Sequence, residues 1–410
     1  MTSFGPSSKL NAMSIGADSL FEVHVHESMI SGRQNGFKKI ASPDGSEFLA
    51  GMIDDSKIKS LLESERKSAK YNMRILEIEE ACLNQLSNSV EKAKNKFGSK
   101  RIGVCVGSCD NGSELSVSGH KEFFELQKFP AGYNLEIQGA DYVATLVSQK
   151  FNLEGPSLAF STACSSSAVA IIRAAQLIKS GQCDAVVAGG VDIASNTVLM
   201  GFNSLEAVSA GKITIPFSKN RCGITLGEAA AFFVLTKENL FETGIALLGY
   251  GESCDAYHMT SPDPEGKGAA LAISEALKRS RINPSEIDYI NLHGTGTRFN
   301  DSMEAKAVKK VFGGSSILCS STKPMTGHTL GAAGALETAV CFESIYMNRG
   351  KPSEQIRLPV HLWDGIYDDE FPRLNFAGPD SIAKKVNVCM SSSFAFGGAN
   401  ACLVIGEKID

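Results

Sequence analysis

Short, nearly continuous apolar runs recur along this chain, and they constrain its fold more than any other feature. They include "RIGVCVGS" from Arg101, "DAVVAGGVD" from Asp184, "EAAAFFVL" from Glu228 and "IALLGYG" from Ile245. "IDYINLHG" from Ile287, "SSILCSST" from Ser315, "KVNVCMSS" from Lys385 and "ACLVIG" from Ala401 follow. Dominated by Val, Ile and Ala, these runs suit strands buried on both faces. Between them, apolar residues three and four apart predict helices over 72–94, 139–150, 164–180, 266–280, 302–311 and 328–347. Buried strands alternating with helices imply an α/β architecture.

Two of the runs, "EAAAFFVLT" and "NACLVIGEK", close similar stretches, each shortly after a Gly-rich turn. The pattern predicts two related halves, residues 1–245 and 246–410. Segments 31–58 and 348–380 are polar, with clustered turn residues, and read as surface excursions. A net charge of −5 gives no reason to expect nucleic acid or an anionic membrane as partner. No apolar stretch is long enough to span a bilayer. The N-terminus lacks a signal-peptide core, so a cytoplasmic protein is expected. The 11 cysteines are odd in number and form no CxxC pair, which favours reduced thiols over a zinc ribbon.

One cysteine stands apart. In "SLAFSTACSSSAVAIIRAAQLIKSG", Cys164 falls where an apolar run turns into a helical pattern. Free N–H groups and the macrodipole at a helix start lower a thiol's pKa toward neutrality. The same N–H groups can hold the oxyanion formed when a thiolate attacks an acyl carbonyl. A buried, inert cysteine is the competing reading. Two histidines in strand-following turns, His293 in "NLHGTGTRFND" and His328 in "SSTKPMTGHTLGAAGALE", favour catalysis. Neither has metal-ligand spacing, so no metal is expected. Thr295 and Thr297 are hydroxyl donors suited to an amide-rich arm, whereas Asp301 and Glu304 at the next helix start read as structural. In "SSFAFGGANA" a backbone N–H beside a Gly-Gly hinge offers a second oxyanion donor, and its two phenylalanines can gate a pocket.

The ordered set "TACSSS", "NLHGTGT", "STKPMTGH" with "LGAAGALE", and "SFAFGGAN" resembles the β-ketoacyl-acyl-carrier-protein synthases of the thiolase superfamily, above all the elongating Cys-His-His enzymes. "PFSKNRCGITLGEAAAFFVL" and "DAYHMTSPDPEG" fit the same pattern, and the likeness spans residues 76–407. The resemblance implies a five-layered αβαβα thiolase-like fold and a dimer. It implies an acyltransferase that performs decarboxylative Claisen condensation in fatty acid or specialised polyketide biosynthesis. Cys164 would be acylated from a carrier protein, while His293 and His328 would bind the malonyl thioester. The N–H groups of Cys164 and Phe396 would form the oxyanion hole, with Lys323 and Glu337 organising the site. Thr295 and Thr297 would hold the phosphopantetheine arm. Phe394, Phe396 and Asp255 would form the gate, with Phe202 among the substrate-binding residues, and Arg66, Lys67 and Arg221 would contact the carrier. No resident cofactor is implied, because the phosphopantetheine arrives on the acyl carrier protein. The partners would be acyl-carrier and malonyl-carrier, plus a second copy or a related ketosynthase-like subunit. A thiolase-like enzyme acting on coenzyme A and a non-catalytic chain-length-setting subunit are the alternatives.

Several positions depart from that pattern. The usual Val-rich first strand is reduced to "MTSFGPSS", so the first strand is expected to be short or lost. Ala395 replaces a usual gate glycine, and its Cβ is expected to stiffen the gate. Asp110 in "VGSCDNGSE" lies near a position that in the family is often apolar and borders the deep end of the acyl pocket. It either meets a polar or hydroxyaryl acyl end or belongs to a solvent-facing turn.

Overall fold

The computed structural model describes the backbone of residues 8–16 and, in full, residues 29–42, 45–62, 73–110, 112–209, 211–241, 243–314 and 316–407. The apolar runs become strands. The first half contributes β1 (Ser8–Gly16), β2 (Phe37–Ala41), β3 (Glu47–Gly51), β4 (Ile102–Gly107), β5 (Ser157–Phe160), β6 (Ala185–Asp192), β7 (Leu226–Gly227) and β8 (Ala229–Thr236). The second contributes β9 (Ile245–Cys254), β10 (Tyr289–Asn291), β11 (Leu318–Ser320), β12 (Asn375–Phe376), β13 (Val388–Phe394) and β14 (Ala399–Glu407). Every residue of β4, β6, β8 and β13 is buried, as runs without polar alternation require.

Strand order shows the duplication. The first half runs β5-β4-β6-β8-β1 and the second β11-β10-β13-β14-β9. In each, two parallel pairings are followed by two antiparallel ones. A short antiparallel contact, Ser8 opposite Leu247 and Lys9 opposite Ala246, joins β1 to β9. The hydrophobic core forms three layers around these sheets. Helices Arg74–Phe97 and Tyr142–Phe151 cover the outer face of the first sheet, against Val104, Val187 and Phe232. Helices Lys267–Ser280 and Arg298–Phe312 cover that of the second, against Ile290, Met390 and Val404. Between the sheets lie Ser166–Lys179 and Ala333–Asn348, whose cluster takes in Ala188 and Phe233 from one sheet and Cys389 and Leu403 from the other. The result is the five-layered thiolase-like arrangement. The two central helices touch through small residues: a Cβ on Gly334 would lie 2.7 Å from that of Ala168.

Three expectations are corrected here. The first strand is not lost: β1 begins at Ser8 and pairs with β8 from Lys9 to Gly16. The 348–380 segment is not merely a surface excursion, since Ile356, Leu358, Val360 and Phe371 are buried. The alternating residues 356, 358 and 360 present one face inward, which is the period of extended chain. The 31–58 segment pairs β2 with β3 and β3 with β7 and buries Phe48, Ile53 and Ile58. Helices Ser113–Leu126 and Asn196–Ser204 were not foreseen; Val117, Phe124 and Leu126 of the first are exposed, so it has no inward apolar stripe to recognise.

Candidate active site

Turns that follow β5, β10, β11 and β13 converge where the two halves meet. After β5 the chain reverses sharply at Ala163, whose φ is 49°. A left-handed alanine costs on the order of 1–3 kcal/mol and persists only when its surroundings fix it. Here the Ser166 hydroxyl fixes it, accepting from the Thr162 N–H (2.9 Å) and donating to the Ala163 carbonyl (2.6 Å). Close packing against this turn requires a glycine at 107, where a Cβ would sit 2.3 Å from the backbone of Ser166 and Ser167.

This turn delivers Cys164 into a buried cluster. Its Sγ lies 2.9 Å from Nε2 of His328, and Sγ and one ring nitrogen from each of His293 and His328 all lie within 4.8 Å of one another. The two imidazoles are nearly perpendicular, with centroids 5.3 Å apart. Both rings are held well below the ordinary histidine pKa, first by burial and then by the Lys323 ammonium, so both are neutral. The thiol departs from expectation. The helix proper starts at Ser166, beyond Cys164, and burial pushes the thiol up to about 12. The Lys323 charge and the Phe396 N–H, directed at Sγ, lower it only in part. Cys164 therefore rests as a thiol with a neutral imidazole beside it, not as a free thiolate.

Lys323 is fully buried between Glu337, the His293 carbonyl and, at 3.5 Å, Nδ1 of His293. The three donors of Cys164, His293 and His328 are close enough for a metal ion, but the Lys323 ammonium opposes a cation there. Asp301 and Glu304 shape the His293 turn. Glu304 accepts the N–H groups of His293 and Gly294, both at 2.7 Å. Asp301 accepts those of Thr295 (3.0 Å), Gly296 (3.2 Å) and Phe217 (2.7 Å). Their reading as structural residues stands, yet the structure they hold is the site itself.

A cavity of about 320 Å³ leads inward to Cys164, His293 and His328. Thr295 and Thr297 line it with their hydroxyls 2.9 Å apart, and Phe394, Phe396, Phe202 and Asp255 line it too. Phe202 meets Phe396 at 5.5 Å. The Asp255 carboxylate accepts from the Asn400 side chain (2.7 Å) and the Asp263 N–H (3.1 Å), and its own N–H donates to the Gly398 carbonyl (2.9 Å). Asp255 thus ties two mouth loops together. At Ala395 the backbone is extended, with φ of −105°, so its Cβ meets no strain there, and the left-handed positions belong to Gly397 (84°) and Gly398 (76°).

The structure does not bring Asp110 to this cavity. Asp110 is buried, so it is not a solvent-facing turn residue, and its oxygens are taken by neighbours. They accept from the Gly112 N–H (2.8 Å), the Ser113 N–H (3.2 Å) and hydroxyl (2.5 Å), and the Tyr142 hydroxyl (2.9 Å). Three of these bonds fall on Oδ1 and one on Oδ2, and all of them hold the carboxylate in its own turn and against Tyr142. Arg66 and Lys67 lie outside the described residues. Arg221 stands at the mouth, but its side chain is only 4% exposed and is paired with Asp368 at 2.6 Å. That guanidinium holds a loop and is not a free docking charge. Sequence reasoning missed Arg298 and Phe299 at the mouth and His361 behind it, because no repeating pattern marks them.

The family model described as β-ketoacyl synthase, N-terminal domain, matches residues 63–240, and the one described as β-ketoacyl synthase, C-terminal domain, matches residues 245–354. The 3-oxoacyl-[acyl-carrier-protein] synthase 2 of Coxiella burnetii is 35% identical over 342 residues, covering 77% of this chain and 78% of the relative. That of Synechocystis is 31% identical over 396 residues, 92% of each. Among solved structures, that of the ketosynthase ApeO in complex with its chain length factor ApeC from Xenorhabdus doucetiae matches with a TM-score of 0.86 at 34% identity, over 98% of each chain. A β-ketoacyl synthase from Burkholderia phymatum, at 24% identity and a TM-score of 0.81, shares the fold. Among the described residues no helix is long and apolar enough to cross a membrane. By its family models, its relatives and its fold, this chain belongs to the β-ketoacyl synthase family.

Proposed function

We propose that the chain is a β-ketoacyl-[acyl-carrier-protein] synthase that joins an acyl group held on Cys164 to a malonyl unit on an acyl carrier protein, with loss of carbon dioxide. The observation that carries this reading is the 2.9 Å contact of Cys164 Sγ with a buried, neutral His328. In the first half-reaction Sγ attacks the acyl thioester carbonyl as His328 Nε2 takes its proton. The bond to the carrier sulfur breaks, and that sulfur leaves with the proton. The N–H groups of Cys164 and Phe396 hold the oxyanion formed on the way.

In the second half-reaction malonyl-carrier enters past Thr295 and Thr297, which hold its phosphopantetheine arm. His293 and His328 donate to the malonyl thioester oxygen. Nδ1 of His328 has no partner in the buried site, so neither tautomer is fixed: Nε2 accepts a proton in the first half-reaction and, after the ring proton moves from Nδ1 to Nε2, donates in the second. The bond to the carboxylate breaks, carbon dioxide leaves, and the electron pair becomes an enolate. The enolate carbon attacks the acyl carbonyl, and collapse expels the Cys164 thiolate, which takes a proton from solvent. Lys323 and Glu337 fix His293. The arm arrives on the carrier.

The catalytic division follows the two halves: residues 1–245 supply the nucleophile and 246–410 the two histidines. For the carrier we retain Arg66 and Lys67, and in place of Arg221 we assign the rim of exposed Arg298, Phe299, Tyr257 and Met259. The protein works as a homodimer or with a related ketosynthase-like subunit, in the cytoplasm. Edge strand β5, with Leu158 exposed, and the largely exposed Phe124 (74%) and Leu135 (86%) support a partner on the first half.

The reading is tested by intact mass spectrometry after mixing the protein with alkyl, polyenyl and hydroxyaryl acyl-carriers, with Cys164→Ala as control, followed by malonyl-carrier. An adduct on Cys164 that malonyl-carrier discharges as a β-ketoacyl product is expected. Folded protein that takes no acyl group from any carrier would refute catalysis and favour the chain-length-setting alternative.

A further inference from the structure

One buried carboxylate joins the two halves directly behind the nucleophile. Asp192 ends β6 and is fully buried. A single oxygen, Oδ2, accepts the Cys109 N–H beyond β4 and the Gly331 N–H from the second half, both at 2.8 Å. Gly331 lies three residues after His328. Upstream, the backbone of His328 is tied to β7: its N–H donates to the Thr225 carbonyl (2.6 Å), and its carbonyl accepts from the Gly227 N–H (3.0 Å). Downstream the turn passes through Leu330 with φ of 51°, a conformation that a side chain with a Cβ keeps only under restraint. Gly331 leaves no slack, because a Cβ there would stand 2.6 Å from Asp192 Oδ2 and 2.7 Å from the Cys109 nitrogen. The carboxylate and the glycine form one lock, and what it restrains is the turn that carries His328.

We propose that Asp192 is a positioning residue for the condensation: its Oδ2 holds the 328–331 turn against the end of β4 and so keeps His328 Nε2 in contact with Cys164 Sγ. The proposal rests on the roles assigned above to Cys164 and His328. Charge is not the operative property. Both N–H groups use one oxygen, so an amide oxygen in the same place keeps both bonds, while its nitrogen takes the buried place of Oδ1, which has no partner. Asparagine and alanine remove the same charge, and only asparagine keeps the acceptor.

The test compares the full-length wild type with Asp192→Asn, Asp192→Ala, Gly331→Ala and His328→Ala. Thermal unfolding, condensation kinetics with malonyl-carrier and the pH profile of Cys164 alkylation are measured on each. Asp192→Ala and Gly331→Ala are expected to lose kcat by roughly 10–100-fold, as a displacement near 1 Å does, with KM for malonyl-carrier unchanged. Their alkylation profiles should move toward that of His328→Ala, and Asp192→Asn should recover most of the loss in both readouts. A folded Asp192→Ala with wild-type kcat and profile overturns the proposal, and so does an asparagine variant as impaired as alanine. If neither alanine variant folds, the lock is a folding element and the proposal fails. Wild type that is never acylated refutes the proposed function instead.

Discussion

Replacing His361 by asparagine tests how the packing behind the site is held, and its cost should depend on pH in a definite direction. His361 is buried, and its Nδ1 accepts the Ser321 N–H (3.1 Å) while Nε2 donates to the Pro216 carbonyl (3.1 Å). Its ring stacks on Phe376 at 4.0 Å. Ser321 in turn donates from its hydroxyl to the Gly294 carbonyl (2.7 Å), so the imidazole braces both the Lys323 turn and the His293 turn. Burial pulls its pKa from 6.5 down to about 3. Below pH 6.5 the unfolded chain binds a proton that the folded protein refuses, so this group's stability contribution is intact above 6.5 and is lost as pH falls toward 3. At pH 5 the loss comes to about 2 kcal/mol, one and a half pH units at about 1.36 kcal/mol each. Asparagine keeps an acceptor for Ser321 but gives up the Pro216 bond and the stack, costing about 2–3 kcal/mol at pH 7.5. Asparagine has no proton to refuse, so the gap between wild type and His361→Asn should shrink to below about 1 kcal/mol at pH 5. Urea unfolding at both pH values, at one fixed protomer concentration, reads this gap directly. A gap that stays the same at both pH values would show that His361 is not a buried neutral imidazole and would refute the argument.

Lys323→Met should destabilise the fold by about 3–5 kcal/mol by leaving Glu337 buried without its cation, whereas Lys323→Met with Glu337→Leu should regain most of that in urea unfolding while condensation stays absent. Gly398→Ala should lower Tm and slow acylation of Cys164, because φ of 76° and Asp255 Cβ at 2.9 Å both oppose a side chain, while Ala395→Gly should change Tm little. Arg221→Glu should lower Tm by breaking the buried pair with Asp368, whereas Arg298→Glu, on the exposed rim, should raise KM for the carrier at low salt without a change in Tm.

How much was legible follows from which residues leave a periodic trace. Runs such as 229–236 announce themselves because strands buried on both faces tolerate nothing but apolar residues. Cys164, His293 and His328 were legible as one candidate cluster because each sits among small turn residues just past such a run. The thiol's ionisation was not legible: a helix start lowers a pKa, but the depth at which this one lies depends on both halves closing over it. Asp110 shows the same limit. Its aspartate followed by Asn-Gly reads as a turn, and it does cap one, yet Oδ1 also accepts from the Tyr142 hydroxyl, 32 residues away. Arg221 reads as a loop cation until Asp368, 147 residues later, is brought beside it. His361 was invisible because extended chain without partners in a sheet carries no signature beyond alternation.

The duplication explains why these long-range contacts decide the chemistry. Each half, taken alone, ends its parallel strands in turns that hold only part of the buried cluster: the Cys164 thiol in one, the two imidazoles in the other. Stacking the two sheets on a shared layer of central helices sets those turns against each other, so the distance between Cys164 and His328 is fixed by packing between halves and not within either. Gly334 against Ala168 and Gly331 against Asp192 are both places where a single added carbon would hold the halves apart. A protein interior packed this closely does not deform smoothly. The strict demand for small residues at these contacts is therefore the structural means by which two similar halves keep one thiol and one imidazole within reach of each other.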